Sequence, residues 1–64
     1  MRNQHGGVIF EYIRHGSYLK VSAVDVATGI EASIVADPAT DQRALNKLAL
    51  QKLNYVMNKK LGPK

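Results

Sequence analysis

The apolar residues in the first half of the chain lie in three segments that are rich in β-branched and aromatic residues and are separated by turn residues. Such segments are typical of β-strands. The pattern predicts three strands, at residues 8–14, 17–24 and 30–35. Residues 1–6 are polar and show no such pattern, so we expect them to form a flexible N-terminal arm.

The first predicted turn sets the register between the first two of these strands. A two-residue loop at His15-Gly16 would place Glu11 opposite Lys20, a favourable cross-strand pair. In this register one face of the sheet is apolar. Its side chains are Val8, Phe10, Tyr12, Leu19, Val21 and Ala23. A slip of one residue would move every side chain to the other face, so the hydrophobic pattern constrains the register.

The second predicted turn begins at Asp25, whose carboxylate can accept hydrogen bonds from backbone amides of the turn. Gly29 can take the positive φ that such a turn needs. Pairing Asp25 with Ile30 would add Ala32 and Ile34 to the apolar face. The loop lacks the repeated acidic ligands of a calcium-binding loop, so turn geometry is the better explanation of its composition.

The hydrophobic spacing changes to that of a helix over residues 41–60. We expect Thr40 or Asp41 to cap this helix and Gly62 to end it. At 100° per residue the apolar arc spans about 200°, which is wider than contact with one sheet requires. Lys52 falls inside this arc and must extend its ammonium group outward. The helical residues expected in the core are Leu45, Leu48, Ala49, Leu53 and Val56.

These elements predict an α+β fold, a three-stranded antiparallel meander sheet followed by one C-terminal helix packed on one face (βββα). We expect a single domain over residues 1–64, with the sheet at 7–36, the helix at 41–60 and a tail at 61–64. One helix covers only one face of the sheet, so the other face and two strand edges would remain open.

Half of the predicted open face is apolar, which is a high share for a solvated surface. The candidate self-association residues are Ile9, Ile13, Tyr18, Val24 and Val35, beside Glu11, Lys20, Ser22, Glu31 and Ser33. We expect a symmetric homodimer, the commonest small oligomer. The alternative is a monomer with scattered exposed apolar residues, which are common on protein surfaces.

The length excludes large catalytic architectures, because 64 residues provide for one small core. There is no cysteine, so neither a disulfide framework nor a thiolate zinc site is available. No apolar run is long enough to span a membrane or to act as a signal peptide, so we expect a cytoplasmic protein without a membrane partner.

Charge is divided unevenly along the chain. Residues 1–41 carry five acids and three bases, a charge of −2, whereas residues 42–64 carry six bases and no acid, a charge of +6. Such asymmetry can mark contact with a nucleic acid or with an anionic membrane, although bases near a helix C-terminus also favour its dipole. The candidate nucleic-acid residues form one polar helical face, Arg43, Lys47, Gln51, Asn54 and Asn58.

The sequence contains no arrangement of residues suited to catalysis. Its two histidines are His5, in the predicted arm, and His15, in a predicted turn, and no acid or nucleophile is placed to act with them. No metal-ligand spacing and no glycine-rich phosphate loop is present. We therefore expect no catalytic residue, no metal site, no cofactor and no enzymatic activity.

Several short motifs carry a family resemblance. They are Phe10-Glu11-Tyr12, Lys20-Val21-Ser22-Ala23-Val24-Asp25, Thr28-Gly29-Ile30-Glu31, Ile34-Val35 and Leu48-Ala49-Leu50-Gln51-Lys52-Leu53-Asn54-Tyr55. In this order and spacing they resemble a small proteobacterial domain family of unknown function, whose members are often labelled serine hydroxymethyltransferase. A chain this short cannot hold the core of that pyridoxal-phosphate enzyme, so we treat the label as an error. The resemblance supports the domain boundaries and implies no site residues.

Together these observations favour a small non-catalytic protein that acts as a homodimeric interaction module. Its expected partner is a second copy of the chain, and an unidentified protein partner is compatible with the same surface. The alternative is a nucleic-acid-binding module that uses the polar face of the C-terminal helix.

Overall fold

Four strands and one helix follow one another in the computed structural model, which describes residues 2–62, with side chains from residue 6 onward. The elements are β1 (Arg2–His5), β2 (Val8–His15), β3 (Tyr18–Asp25), β4 (Glu31–Ala36) and α1 (Gln42–Leu61). The strands form one antiparallel sheet in the order β1-β2-β3-β4. The predicted α+β architecture, an antiparallel meander followed by one helix packed on it, is confirmed.

The sheet has one strand more than the sequence pattern predicts. Strand β1 pairs with β2 from Arg2 opposite Glu11 to His5 opposite Val8. The prediction of a flexible arm is therefore corrected for residues 2–5, whereas Met1 lies outside the described residues. A two-residue Gly6-Gly7 loop makes this hairpin, and Gly6 has a φ of 63°. A Gly-Gly pair before a strand is a hairpin signal that could have revealed β1.

The register between β2 and β3 differs by two residues from the predicted one. Glu11 lies opposite Ser22, so the expected Glu11–Lys20 pair is wrong. The loop is Gly16-Ser17, with a φ of 56° at Gly16 and no positive φ at Ser17. This pattern fits a type II′ turn, which needs glycine at its first loop position. A shift of two residues leaves each side chain on its face, so the predicted apolar face is retained.

The register between β3 and β4 is as predicted, with Val21 opposite Ile34 and Ala23 opposite Ala32. The turn that joins these strands is organised by Asp25. Its carboxylate accepts hydrogen bonds from the Thr28 backbone amide at 3.0 Å and the Thr28 hydroxyl at 2.7 Å. These bonds hold the turn before Gly29, where φ is 75°.

We expect Asp25→Ala to lower the free energy of unfolding by about 1–2 kcal/mol, because Thr28 loses two hydrogen bonds to a charged acceptor. Urea denaturation measures this loss. The control is Val26→Ala, which truncates a neighbouring side chain that is 52% exposed and should change stability by less than about 0.5 kcal/mol. Equal losses in the two variants would mean that the Asp25 carboxylate does not organise the turn.

Helix α1 begins after Asp41, whose carboxylate accepts a hydrogen bond from the Arg43 amide at 3.2 Å. Of the two predicted capping residues, Thr40 and Asp41, it is therefore Asp41 that caps the helix. Gly62, with a φ of 91°, ends the helix as predicted. The helix continues one residue beyond the predicted end, through Leu61, and the last two residues of the predicted tail lie outside the described range.

The helix packs against β3 and β4 on the apolar face of the sheet. The buried core residues are Phe10, Val21, Ala23, Ala32, Leu45, Ala49 and Leu53. The prediction that Leu48 belongs to this core is wrong, because its side chain is 48% exposed. Near the start of the helix, the Tyr12 hydroxyl donates a hydrogen bond to Asn46 Oδ1 and accepts one from Gln42. These bonds attach the helix to β2.

Candidate functional site

The outer face, which we define as the sheet surface turned away from α1, carries the five predicted self-association residues. The register places them on this one face. Ile13, Tyr18 and Val35 are 46%, 43% and 65% exposed, whereas Ile9 and Val24 are half-buried. The exposed apolar surface is thus concentrated towards one end of the outer face.

A polar band crosses the middle of the outer face and separates these two groups. Glu11 lies opposite Ser22, which in turn lies opposite Ser33. The two serine hydroxyl oxygens are 2.8 Å apart, so the two side chains share a hydrogen bond. Ser22 is only 3% exposed. Its hydroxyl therefore needs this hydrogen bond, since a buried polar group without a partner is destabilising.

Charges of opposite sign lie on the two sides of this band. Lys20 lies between Ile13 and Val35 in the row that carries the exposed apolar residues. Glu31 lies opposite Val24 in the row on the other side. The outer face therefore has a positive charge towards one end and a negative charge towards the other.

The free edge of β4 is partly covered by a helical side chain. The Asp25 amide donates a hydrogen bond to the Ile30 carbonyl, so these two residues form a hydrogen-bonded pair. Along an antiparallel ladder such pairs alternate with pairs that are not hydrogen-bonded. Ser33 and Ser22 form a pair of the second kind, so the Ser33 carbonyl points away from β3. Lys52 Nζ donates a hydrogen bond to this carbonyl at 2.9 Å. The expectation that Lys52 extends outward is confirmed, and its charge opposes edge-to-edge pairing.

The solvent stripe, which we define as Arg43, Lys47, Gln51, Asn54 and Asn58, lies on the opposite side of the molecule. All five side chains are exposed. Their spacing places them on the side of α1 away from the buried residues Leu45, Ala49 and Leu53. The predicted nucleic-acid residues therefore share one continuous helical surface. Near its end, Lys59 Nζ lies 5.5 Å from the centre of the Tyr55 ring.

The remaining candidate chemistry is limited. The His15 ring stacks on Tyr18 with a centroid distance of 5.4 Å, which gives the imidazole a structural contact in the outer face. Among the side chains described, no three of His, Cys, Asp or Glu are grouped to hold a metal ion. Within residues 2–62, no helix has the length and apolar character needed to cross a membrane.

Comparisons with known proteins add one finding. No curated protein and no solved structure matches the chain. A protein family described as Domain of unknown function (DUF6898) matches residues 5–60. This agrees with the resemblance to a small family of unknown function. Because the match covers most of the chain, the protein belongs to the DUF6898 family.

Proposed function

We propose that the protein is a non-catalytic interaction module whose outer face packs against the outer face of a second copy. The observation that carries the proposal is the exposure of Ile13, Tyr18 and Val35 on one side of a sheet that α1 covers only on the other. Exposed apolar side chains that are grouped on one surface, rather than scattered singly, mark interaction sites.

The size of the outer face is that of a weak dimer. The four strands have 4, 8, 8 and 6 residues, so with a rise of about 3.3 Å per residue and a spacing of about 4.8 Å between strands each copy offers about 400 Å². Two copies would bury about 800 Å², which is in the range of weak, transient interfaces. We therefore expect a weak dimer, with a dissociation constant that is at best micromolar.

Charge complementarity favours one arrangement of the two copies. A two-fold axis along the band formed by Ser22 and Ser33 would lay each end of the outer face over the opposite end of the partner's. The aliphatic part of the Lys20 side chain would then pack on the half-buried end of the second copy's outer face, and the Lys20 ammonium group would approach Glu31 of that copy. In the same arrangement Ile13 would contact the half-buried Ile9 of the other copy.

The first test is sedimentation of wild type and of Ile13→Asp and Tyr18→Asp. Each aspartate would bury an unpaired charge, so we expect the dissociation constant to rise by about 30-fold or more, the equivalent of about 2 kcal/mol. The matched control is Tyr55→Asp, the same change at a helical tyrosine that is 61% exposed. A wild type that stays monomeric at high micromolar concentration would refute the dimer.

A charge exchange tests the arrangement itself. Lys20→Glu and Glu31→Lys should each weaken self-association, because each creates like charges across the two-fold axis. An equimolar mixture of the two variants should restore dimers, since positions 20 and 31 again carry opposite charges across the two-fold axis. Failure of the mixture to dimerise, with both variants folded by circular dichroism, would exclude this arrangement.

A further inference from the structure

We propose that the solvent stripe of α1 binds duplex DNA, with Arg43 and Lys47 on phosphates and the amides of Gln51, Asn54 and Asn58 towards the base edges. This inference is independent of the proposed dimer, because the stripe and the outer face lie on opposite sides of the molecule.

The charge of the helix carries the first step. Helix α1 contains five Lys and Arg residues and no Asp or Glu. Lys59 and Lys60, in the last turn, complement the helix dipole. Arg43 lies in the first turn, where the dipole disfavours cations, and Lys47 lies in the second turn, where the dipole has little effect. Helix stability therefore does not explain their position, whereas a polyanionic partner does.

The shape of the helix carries the second step. Residues 43 and 58 are fifteen positions apart, so the stripe is about 22 Å long. An α-helix with its side chains is about 10–12 Å wide, and the major groove of B-form DNA is about 12 Å wide. The five stripe side chains are exposed and none of them belongs to the described core, so the stripe can approach a duplex without displacing the fold.

The residue types carry the third step. Arginine and lysine are the usual phosphate contacts, and the amides of Asn and Gln pair with adenine edges in the major groove. An anionic membrane is the competing polyanion, but a helix that lies in a membrane surface places large apolar residues along the inserted side. Here the centre of the stripe consists of Gln51, Asn54 and Asn58, and the exposed Leu48 and Leu50 lie on its two flanks.

The experiment is a fluorescence-anisotropy titration of a labelled 20-base-pair duplex at several salt concentrations. Wild type should bind at low salt, and the logarithm of the affinity should fall with the logarithm of salt by about 0.9 for each phosphate contacted. Arg43→Gln/Lys47→Gln should weaken binding at least tenfold and reduce the magnitude of the slope by about 2. Circular dichroism confirms that each variant is folded.

The matched control is Lys59→Gln/Lys60→Gln, which removes the same charge outside the stripe. This control should weaken binding by less than about threefold, and the dependence of affinity on salt should keep most of its slope. An equal loss in both double variants would overturn the proposal, because net charge alone would then explain binding. So would a lack of binding at about 50 mM salt, where phosphate contacts are strong.

Two further probes separate the competing ligands. Vesicles that contain phosphatidylserine should bind more weakly than the duplex, and single-stranded DNA of the same length should also bind more weakly. Preference for either probe overturns the duplex assignment. Repeating the titration with Ile13→Asp keeps the two proposals apart, since DNA affinity per chain should be retained whether or not the protein dimerises.

Discussion

We expect Leu53→Ala to lower the free energy of unfolding by about 2–5 kcal/mol, the range seen when a buried leucine is truncated. Leu53 is 1% exposed and lies where α1 contacts the sheet. A domain of this length has a total stability of about 3–10 kcal/mol. The substitution therefore removes a large share of the stability, and we expect a partly unfolded population at 37 °C in thermal denaturation followed by circular dichroism.

The same change at Leu48 is the control, because Leu48 lies on the same helix and is 48% exposed. Leu48→Ala should lower stability by less than about 1 kcal/mol, since only part of the side chain leaves an apolar contact. Similar melting temperatures for the two variants would mean that α1 does not turn Leu53 towards the sheet and Leu48 towards solvent.

We expect Ala49→Leu to lower the free energy of unfolding by about 1–3 kcal/mol, because added methylene groups in a packed core force neighbouring atoms apart. Ala49 is fully buried and belongs to the same cluster as Ala23 and Ala32. Three alanines in one cluster indicate that small side chains allow α1 to approach β3 and β4 closely. Urea denaturation with a fluorescent or circular dichroism signal measures the loss.

Ala44→Leu provides the control for this overpacking. Ala44 is exposed on the same helix, so the larger side chain meets solvent and should change stability by less than about 0.5 kcal/mol. A gain of stability in Ala49→Leu would contradict the close helix–sheet contact, because it would reveal unfilled space beneath the helix.

Several features of the fold could be predicted from local patterns. The apolar residues at every second position around Phe10 and Val21 identified the buried face. This assignment is correct despite the error of two residues in the register of the first hairpin, because successive side chains of a strand point to opposite faces. Asp25 and Gly29 identified the second turn because their chemistry is local. The solvent stripe was also predictable, since its regular spacing depends only on the helix period.

Other features are not contained in the apolar pattern, and contacts formed in the folded chain decide them. Strand β1 was missed because its residues lack apolar alternation, and its pairing with β2 supplies the order. The same limit applies to the first loop, where both His15-Gly16 and Gly16-Ser17 are consistent with the sequence and the observed pairing of His15 with Tyr18 distinguishes them. The Lys52 bond to Ser33 joins residues that are distant in the chain.

The sequence by itself determined the order of β2, β3, β4 and α1, the two faces of the sheet and the uneven charge, because strand and helix periods and turn chemistry act within a few residues. Only the tertiary structure decided which residues of the wide apolar arc of α1 are buried. Leu45 and Leu53 are buried, whereas Leu48 and Leu50 are exposed. The physical reason is that the helix lies on β3 and β4, and contact with one sheet can bury only part of an arc of about 200°.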